Sequence, residues 1–343
     1  MNTYRMAFIP EPGKIEWREI PLREPSTNEV MVKVKAVAIC GSDLHLFKGK
    51  HPSASLPAAV GHEMAGEVFS CGSEVTRFKE GDRVTVEPVI ACGVCHFCFR
   101  GQYNLCERIS FQYRKGQGAF ADYFYVPEHR VYKLPENVSF QEGALVEPCS
   151  VALHAVRTSK IKIGQTSAVF GAGAIGILVS KIASNLTGIK SFVTDLNTFR
   201  VNRAIELGSY DTSNWTKDEF INRVNSLTDN LGVHAAFEAV GVEATLNQAM
   251  QIVRKGGTIT LLGIFEDPTP KIPVNLFVQK EISLTGSQGY AWDFQDAINM
   301  ISTGQVEVQK LITSQLPYSK LQYGFDLLME PGNNQIKIVF NLD

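Results

Sequence analysis

Cys92, Cys95, Cys98 and Cys106 crowd into a single short stretch with the spacing Cys-x2-Cys-x2-Cys-x7-Cys. Four soft ligands with no vacant position describe a closed tetrahedral zinc site, which pins a loop and should not touch substrate. Four unrelated thiols in a surface loop would instead leave reactive groups exposed for no gain. Disulfides fit less well, because the chain has seven cysteines, an odd number, and no secretion signal is expected from its first residues. Charged residues interrupt Met1–Pro12 early, and no apolar run reaches membrane-spanning length. The expectation is an unexported, soluble, cytoplasmic protein without a membrane partner.

A chain of 343 residues exceeds the length at which one hydrophobic core usually stops growing, so two domains are expected. With 44% hydrophobic and 20% charged residues, it has apolar material for substantial cores. Its formal net charge of −2 and the absence of a basic block argue against a nucleic-acid partner.

From Met6 to about Val131 the pattern is one of short strands and turns. Val30, Val32, Val34 and Ala36 alternate with Met31, Lys33 and Lys35, as a half-buried strand requires. After roughly Leu153, apolar strand-like runs alternate with helical ones, the signature of βαβ units around a doubly wound parallel sheet. Strands are expected at Ser167–Phe170, Phe192–Thr194, Ala235–Ala239, Thr258–Leu262 and Ile282–Thr285, with a helix over Arg200–Leu207. A helix over Phe294–Thr303 and a terminal strand over Gln335–Phe340 should rejoin the first domain. The expected division is therefore 1–153 with 290–343, and 154–289.

Gly171-Ala172-Gly173-Ala174-Ile175-Gly176 matches a dinucleotide fingerprint. One glycine serves the tight turn, one the close approach of a pyrophosphate and one the packing of the helix on the sheet. The triplet alone is a weak signal, since glycine turns are common. Here it follows an expected strand, opens an expected helix, and has Asp195 at the end of the next strand. Asp195 can accept hydrogen bonds from ribose hydroxyls and repel a 2′-phosphate, which favours NAD over NADP. A helix-capping aspartate is the plainer alternative. Arg200 is a further candidate contact to the cofactor, but it stands too far along the next helix to argue for NADP by itself.

Catalysis would need a second metal with a vacant position, and Cys40 with Gly61-His62-Glu63 can supply it. Judged singly, a cysteine near a turn and a lone histidine are usually packing residues. Cys40-Gly41-Ser42-Asp43-Leu44-His45, Gly61-His62-Glu63, the four-cysteine lobe and Glu147-Pro148 together resemble the zinc-dependent medium-chain dehydrogenase family, across nearly the whole chain. The glutamate-containing site is similar to the sorbitol, butanediol, idonate and threonine dehydrogenase branch. That resemblance implies a GroES-like catalytic domain carrying Cys40, His62 and Glu63 as zinc ligands. Glu147 would be a second carboxylate that ligates the metal or holds its water.

The resemblance also implies a Ser42-to-His45 proton relay, hydride transfer in the interdomain cleft, and association into a homodimer or homotetramer through the Rossmann sheet edge. The implied reaction takes hydride from a secondary alcohol (a diol, polyol or sugar-acid hydroxyl) to NAD, giving a ketone. Phe47, Phe111 and Tyr113 are candidates to line the alcohol pocket. Gly289 stands where sorbitol dehydrogenases carry an arginine that grips the polyol, which counts against a long polyol chain. Val86-Glu87-Pro88 and Tyr103-Asn104-Leu105-Cys106 are closer to butanediol dehydrogenases, whereas the short Phe47–Gly61 loop is closer to the polyol and sugar-acid enzymes. A catalytically inactive NAD-binding sensor or scaffold, and a zinc-free reductase, are the competing classes; the intact Cys40, Ser42, His45, His62 and Glu63 count against both.

Overall fold

A computed structural model of the protein describes residues 3–52, 54–111, 116–213 and 215–342. The chain divides into two compact units, Met1–Glu147 with Phe294–Gly304 and Ile312–Asp343, and Pro148–Asp293 with Gln305–Leu311. The first boundary falls inside the helix Val146–Ser159 rather than at 153, and the return comes at Phe294 rather than 290. Residues Gln305–Leu311 cross back to the second unit, which the sequence did not announce. They are held there by polar contacts: Arg203 Nη1 donates to the Lys310 carbonyl at 2.9 Å, and Asn185 Nδ2 to the Gln305 carbonyl at 2.8 Å.

The first unit is organised around the strand Glu29–Ala38. The strand Glu63–Cys71 runs antiparallel along one edge, and the other edge is shared, with Tyr123–Pro127 beside Glu29–Lys33 and Lys337–Asn341 beside Ala36–Ala38. Val30, Val32, Val34 and Val37 face a core that also holds Phe120, Phe124, Phe325 and Phe340. Each such side chain contributes roughly 1.5–3 kcal/mol on burial. Met31 was expected on the open face, yet it is buried against Tyr4, Met6, Ala121 and Tyr125. The sheet is covered on both faces at that end, while Lys33 and Lys35 stay half-buried further along.

The second unit is a parallel five-stranded sheet in the spatial order Phe192–Thr194, Ser167–Phe170, Val233–Glu238, Val253–Leu261 and Ser283–Gly286. Helices connect the strands, giving the doubly wound arrangement in which ligands bind at the carboxyl ends of the strands. The helix Ala174–Thr187 buries Ile177, Leu178, Val179, Ile182 and Ala183, and leaves Ile175 half-exposed at its first turn. Among the described residues, no helix is long and apolar enough to cross a membrane.

Candidate metal centres and cofactor turn

Cys92, Cys95, Cys98 and Cys106 bring their sulfurs within 4.8 Å of one another, and all seven cysteines of the chain are free. Backbone N–H groups already point at this sulfur cluster: those of Cys92 and Arg108 each donate to Cys106 Sγ at 3.3 Å. The Val94 N–H draws the Cys92 thiol down to about 6. Burial, with Cys95 beside it, pushes Cys98 up to about 11. Thiols packed this closely do not all ionise without a cation among them, so the donor set fits a bound zinc. The lobe is tied to the body of the unit through Arg130, which lies 4.5 Å over the Tyr103 ring and pairs with buried Glu87 at 2.7 Å.

The second cluster is Cys40, His62 and Glu63, again with donor atoms within 4.8 Å of one another. Cys40 precedes the short helix Gly41–Phe47, and its N–H donates to Asp43 Oδ2 at 3.0 Å. The other Asp43 oxygen takes the Gly61 N–H at 3.3 Å and lies 3.5 Å from His62 Nδ1. Gly61 sits at φ +91°, and a Cβ there would meet the Phe120 ring at 2.5 Å, so only glycine lets the chain turn His62 into the cluster. Burial resists charge on His62, but the adjacent Asp43 carboxylate and Cys40 outweigh it and lift the imidazole well above its usual range. The same negative surroundings suit a divalent cation. One sulfur, one imidazole nitrogen and one carboxylate oxygen form a borderline donor set that fits zinc and leaves a coordination position open.

Two charged side chains here had no role assigned from sequence. Asp43 was legible only as part of a motif. Lys337 opens the terminal strand, which runs Lys337–Asn341 rather than Gln335–Phe340, and it is buried. Its ammonium donates to both Glu63 oxygens at 2.6 Å and to the Ile39 carbonyl at 2.9 Å. Burial works against its proton, and Glu63 followed by Cys40 more than restores it, leaving the lysine above its ordinary range. The available signal was a lysine adjoining the apolar run Ile338-Val339-Phe340. Glu147, in the first turn of its helix, is buried and adds negative potential at Lys337, but it stands outside the donors that lie within 4.8 Å of one another.

Ser42 and His45 lie three residues apart on the helix Gly41–Phe47, a spacing that sets side chains on one face. Phe111 reaches the cluster, its ring 6.4 Å from that of His62. Phe47 is buried in the core, with its ring 4.9 Å from that of Phe325. Tyr113 lies outside the described residues. A surface cavity of 410 Å³ lined by Arg5, Lys33, Asp122 and Tyr318 shares no residue with either cluster.

In the second unit, Gly171 leaves the strand Ser167–Phe170 with its N–H on the Thr194 carbonyl at 2.8 Å, and Gly173 caps the helix Ala174–Thr187. Gly176 falls in the first turn of that helix. Asp195 follows the strand Phe192–Thr194 and takes the Ala172 N–H at 2.7 Å and the Asn197 N–H at 2.9 Å. A carboxylate has about four acceptor sites, so each oxygen retains capacity for a hydroxyl. Arg200 is half-buried in the helix Thr198–Glu206. Glu238, fully buried at the end of its strand, accepts from the Val240 and Gly241 N–H groups and from Thr245 Oγ1, so it braces that end of the sheet.

Residues 26–136 match the family description "Alcohol dehydrogenase GroES-like domain", and residues 174–303 match "Zinc-binding dehydrogenase". The chain is 32% identical to sorbitol dehydrogenase of Bacillus subtilis over 342 residues, 98% of this chain and 97% of that protein. It is 36% identical over 339 residues to (R,R)-butanediol dehydrogenase of the same organism, 95% of each. The crystal structure of 2R,3R-butanediol dehydrogenase from B. subtilis superposes with a TM-score of 0.89 at 34% identity, covering 99% of this chain and 100% of that one. The chain belongs to the zinc-type medium-chain dehydrogenase family, with a GroES-like domain and a Rossmann-type domain. It is an alcohol dehydrogenase of that family.

Proposed function

We propose that the chain is an NAD-linked dehydrogenase that oxidises a secondary alcohol to a ketone in the cytoplasm, with one catalytic and one structural zinc per chain. The supporting observation is the presence of two donor clusters of different chemistry, four sulfurs in one and a sulfur, an imidazole and a carboxylate in the other. Cys92, Cys95, Cys98 and Cys106 hold the structural ion. Cys40, His62 and Glu63 hold the catalytic one, and Glu147 provides a second carboxylate beside them. Bound zinc supplies Lewis acidity to a substrate hydroxyl, and the dinucleotide supplies a hydride acceptor.

The remaining steps fall to the chain's own side chains. Gly171, Gly173 and Gly176 admit the pyrophosphate, Ile175 covers it at the first helical turn, and Asp195 with Arg200 reads the adenosine ribose. The Asp195 carboxylate repels a 2′-phosphate, hence NAD rather than NADP. Ser42 Oγ takes the hydroxyl proton and passes its own to His45, which returns it to solvent. The substrate is a diol, a short polyol or a sugar-acid hydroxyl; Gly289 offers no side chain to grip a long polyol. The assembly is a homodimer or homotetramer built on the edge strand Ser283–Gly286, in which Leu284 is 37% exposed.

Metal analysis of the purified protein should give about two zinc per chain, with NAD reduction on a panel of diols, sugar alcohols and aldonates. One ion per chain without turnover would leave a scaffold, and none a zinc-free reductase. Ser42→Ala should lower kcat by about a hundredfold or more with zinc content and NAD affinity unchanged. Unaltered turnover would remove the relay.

A further inference from the structure

Lys337 is the group beside the catalytic cluster that this reading leaves unused. It is 4% exposed, and its three ammonium protons are matched by three acceptors, the two Glu63 oxygens and the Ile39 carbonyl. A buried ammonium persists only where it is paired, and Glu63 is its ion-pair partner. The backbone fixes both ends. Glu63 and Val339 pair with Ala38 from opposite sides, so Glu63 and Lys337 each begin a strand held against the same central one. The third hydrogen bond, to Ile39, fastens the lysine to the residue before Cys40. A simple core ion pair could sit anywhere in the sheet; this one takes up both oxygens of a carboxylate that stands within ligand distance of a sulfur and an imidazole.

We infer that Lys337 is a positioning residue that keeps Glu63 a weakly committed metal ligand and thereby sets how readily the catalytic metal leaves. Outer partners that accept from a ligand, as Asp43 is placed to do with His62, raise its donor strength. A cation that donates to both oxygens of a carboxylate does the reverse, because it draws on the lone pairs that the metal would use. It also adds a positive charge beside the metal position. The Cys40 thiolate, Glu63, Glu147 and Asp43 carry four negative charges, and zinc together with Lys337 brings three positive ones. Without the lysine the site is more strongly anionic and grips a divalent cation harder. Because Lys337 is anchored to Ile39 as well, it does not follow Glu63 if the carboxylate moves.

The inference rests on the zinc reading above, and zinc release into a chromogenic chelator tests the two separately. The zinc-loaded wild-type protein should release about two ions per chain in two phases, and the phase surviving in Cys40→Ser identifies the four-cysteine lobe. A wild-type chain that releases a single ion overturns the zinc reading and this inference with it. Given two phases, Lys337→Met should slow the catalytic-site phase by about tenfold. The lobe phase should stay unchanged in every variant and serves as the check that the unit is folded. Lys337→Gln removes the charge with less loss of polarity and should give the same result if methionine is not accommodated. In the Glu63→Gln background, Lys337→Met should change release by no more than about threefold, since the carboxylate it restrains is gone. Unchanged or faster release from the Lys337 variants, or an equal effect with glutamine at 63, overturns the inference and leaves the lysine a strand-end prop.

Discussion

On the proposed NAD reading, Gly176→Ala is expected to weaken cofactor binding severely and to destabilise the second unit, although alanine is ordinarily the better helix former by about 0.8–1 kcal/mol. A Cβ at this position would lie 1.8 Å from the Gly171 carbonyl oxygen and 3.3 Å from Val169 Cγ1. The obstacle is backbone, not the far end of a mobile side chain, so the helix must move off the strand or the turn must open. Either movement pulls on the Gly171 N–H to Thr194 and the Ala172 N–H to Asp195, the bonds that shape the cradle. A loss of about 2–3 kcal/mol in chemical unfolding and at least about a hundredfold in NADH affinity by fluorescence titration are expected. Gly173→Ala provides the contrast. Its Cβ meets nothing within 4 Å, so stability should hold, and any loss of affinity reports contact with the pyrophosphate itself. If Gly176→Ala binds NADH as tightly as the parent protein, this turn is not the cofactor cradle.

The second large effect belongs to Cys40→Ser. Zinc content should drop from about two to about one per chain, and kcat by about a thousandfold or more, because a serine hydroxyl is not ionised at neutral pH and is a poor substitute for a thiolate. The lobe should retain its ion, since its four sulfurs form a separate cluster. Metal analysis alongside steady-state kinetics decides the matter. A Cys40→Ser protein that keeps both ions and full turnover would move the chemistry away from this cluster.

What the sequence revealed was mostly local. The lobe spans Cys92 to Cys106, the glycine turn lies in consecutive positions, and His62 and Glu63 are neighbours, so spacing alone could point to them. The parallel strands were legible because short buried runs were bounded by turn residues. Two were seen short at their amino-terminal ends: Val233–Glu238 and Val253–Leu261 begin before the expected Ala235 and Thr258. Interactions between distant parts of the chain were not legible. Nothing near Glu63 announces a partner 274 positions away, and nothing in Gln305–Leu311 announces a return to the second unit. Residue type also failed to separate core from site. Phe47 and Phe111 are the same amino acid, one ending the helix Gly41–Phe47 and the other the short strand Ser110–Phe111, yet the first packs on Phe325 and the second lies beside His62. Met31 was misplaced for a similar reason: alternation gives the two faces of a strand but not whether both are covered.

The lysine at the start of the last strand also bears on biosynthesis. The four sulfurs of the lobe leave the ribosome almost together, so they can capture an ion while the strand that carries Lys337 is still unmade. The cluster of Cys40, His62 and Glu63 emerges earlier still, but the strand that carries Lys337 and covers part of one edge of the Glu29–Ala38 strand follows Glu63 by 274 positions and is translated long after it. Until it arrives, Glu63 lacks its counter-charge and that sheet edge has no cover. On the proposed two-zinc reading, the Cys40, His62 and Glu63 site gains its lysine only long after its own ligands are made, which separates the loading of the two ions in time.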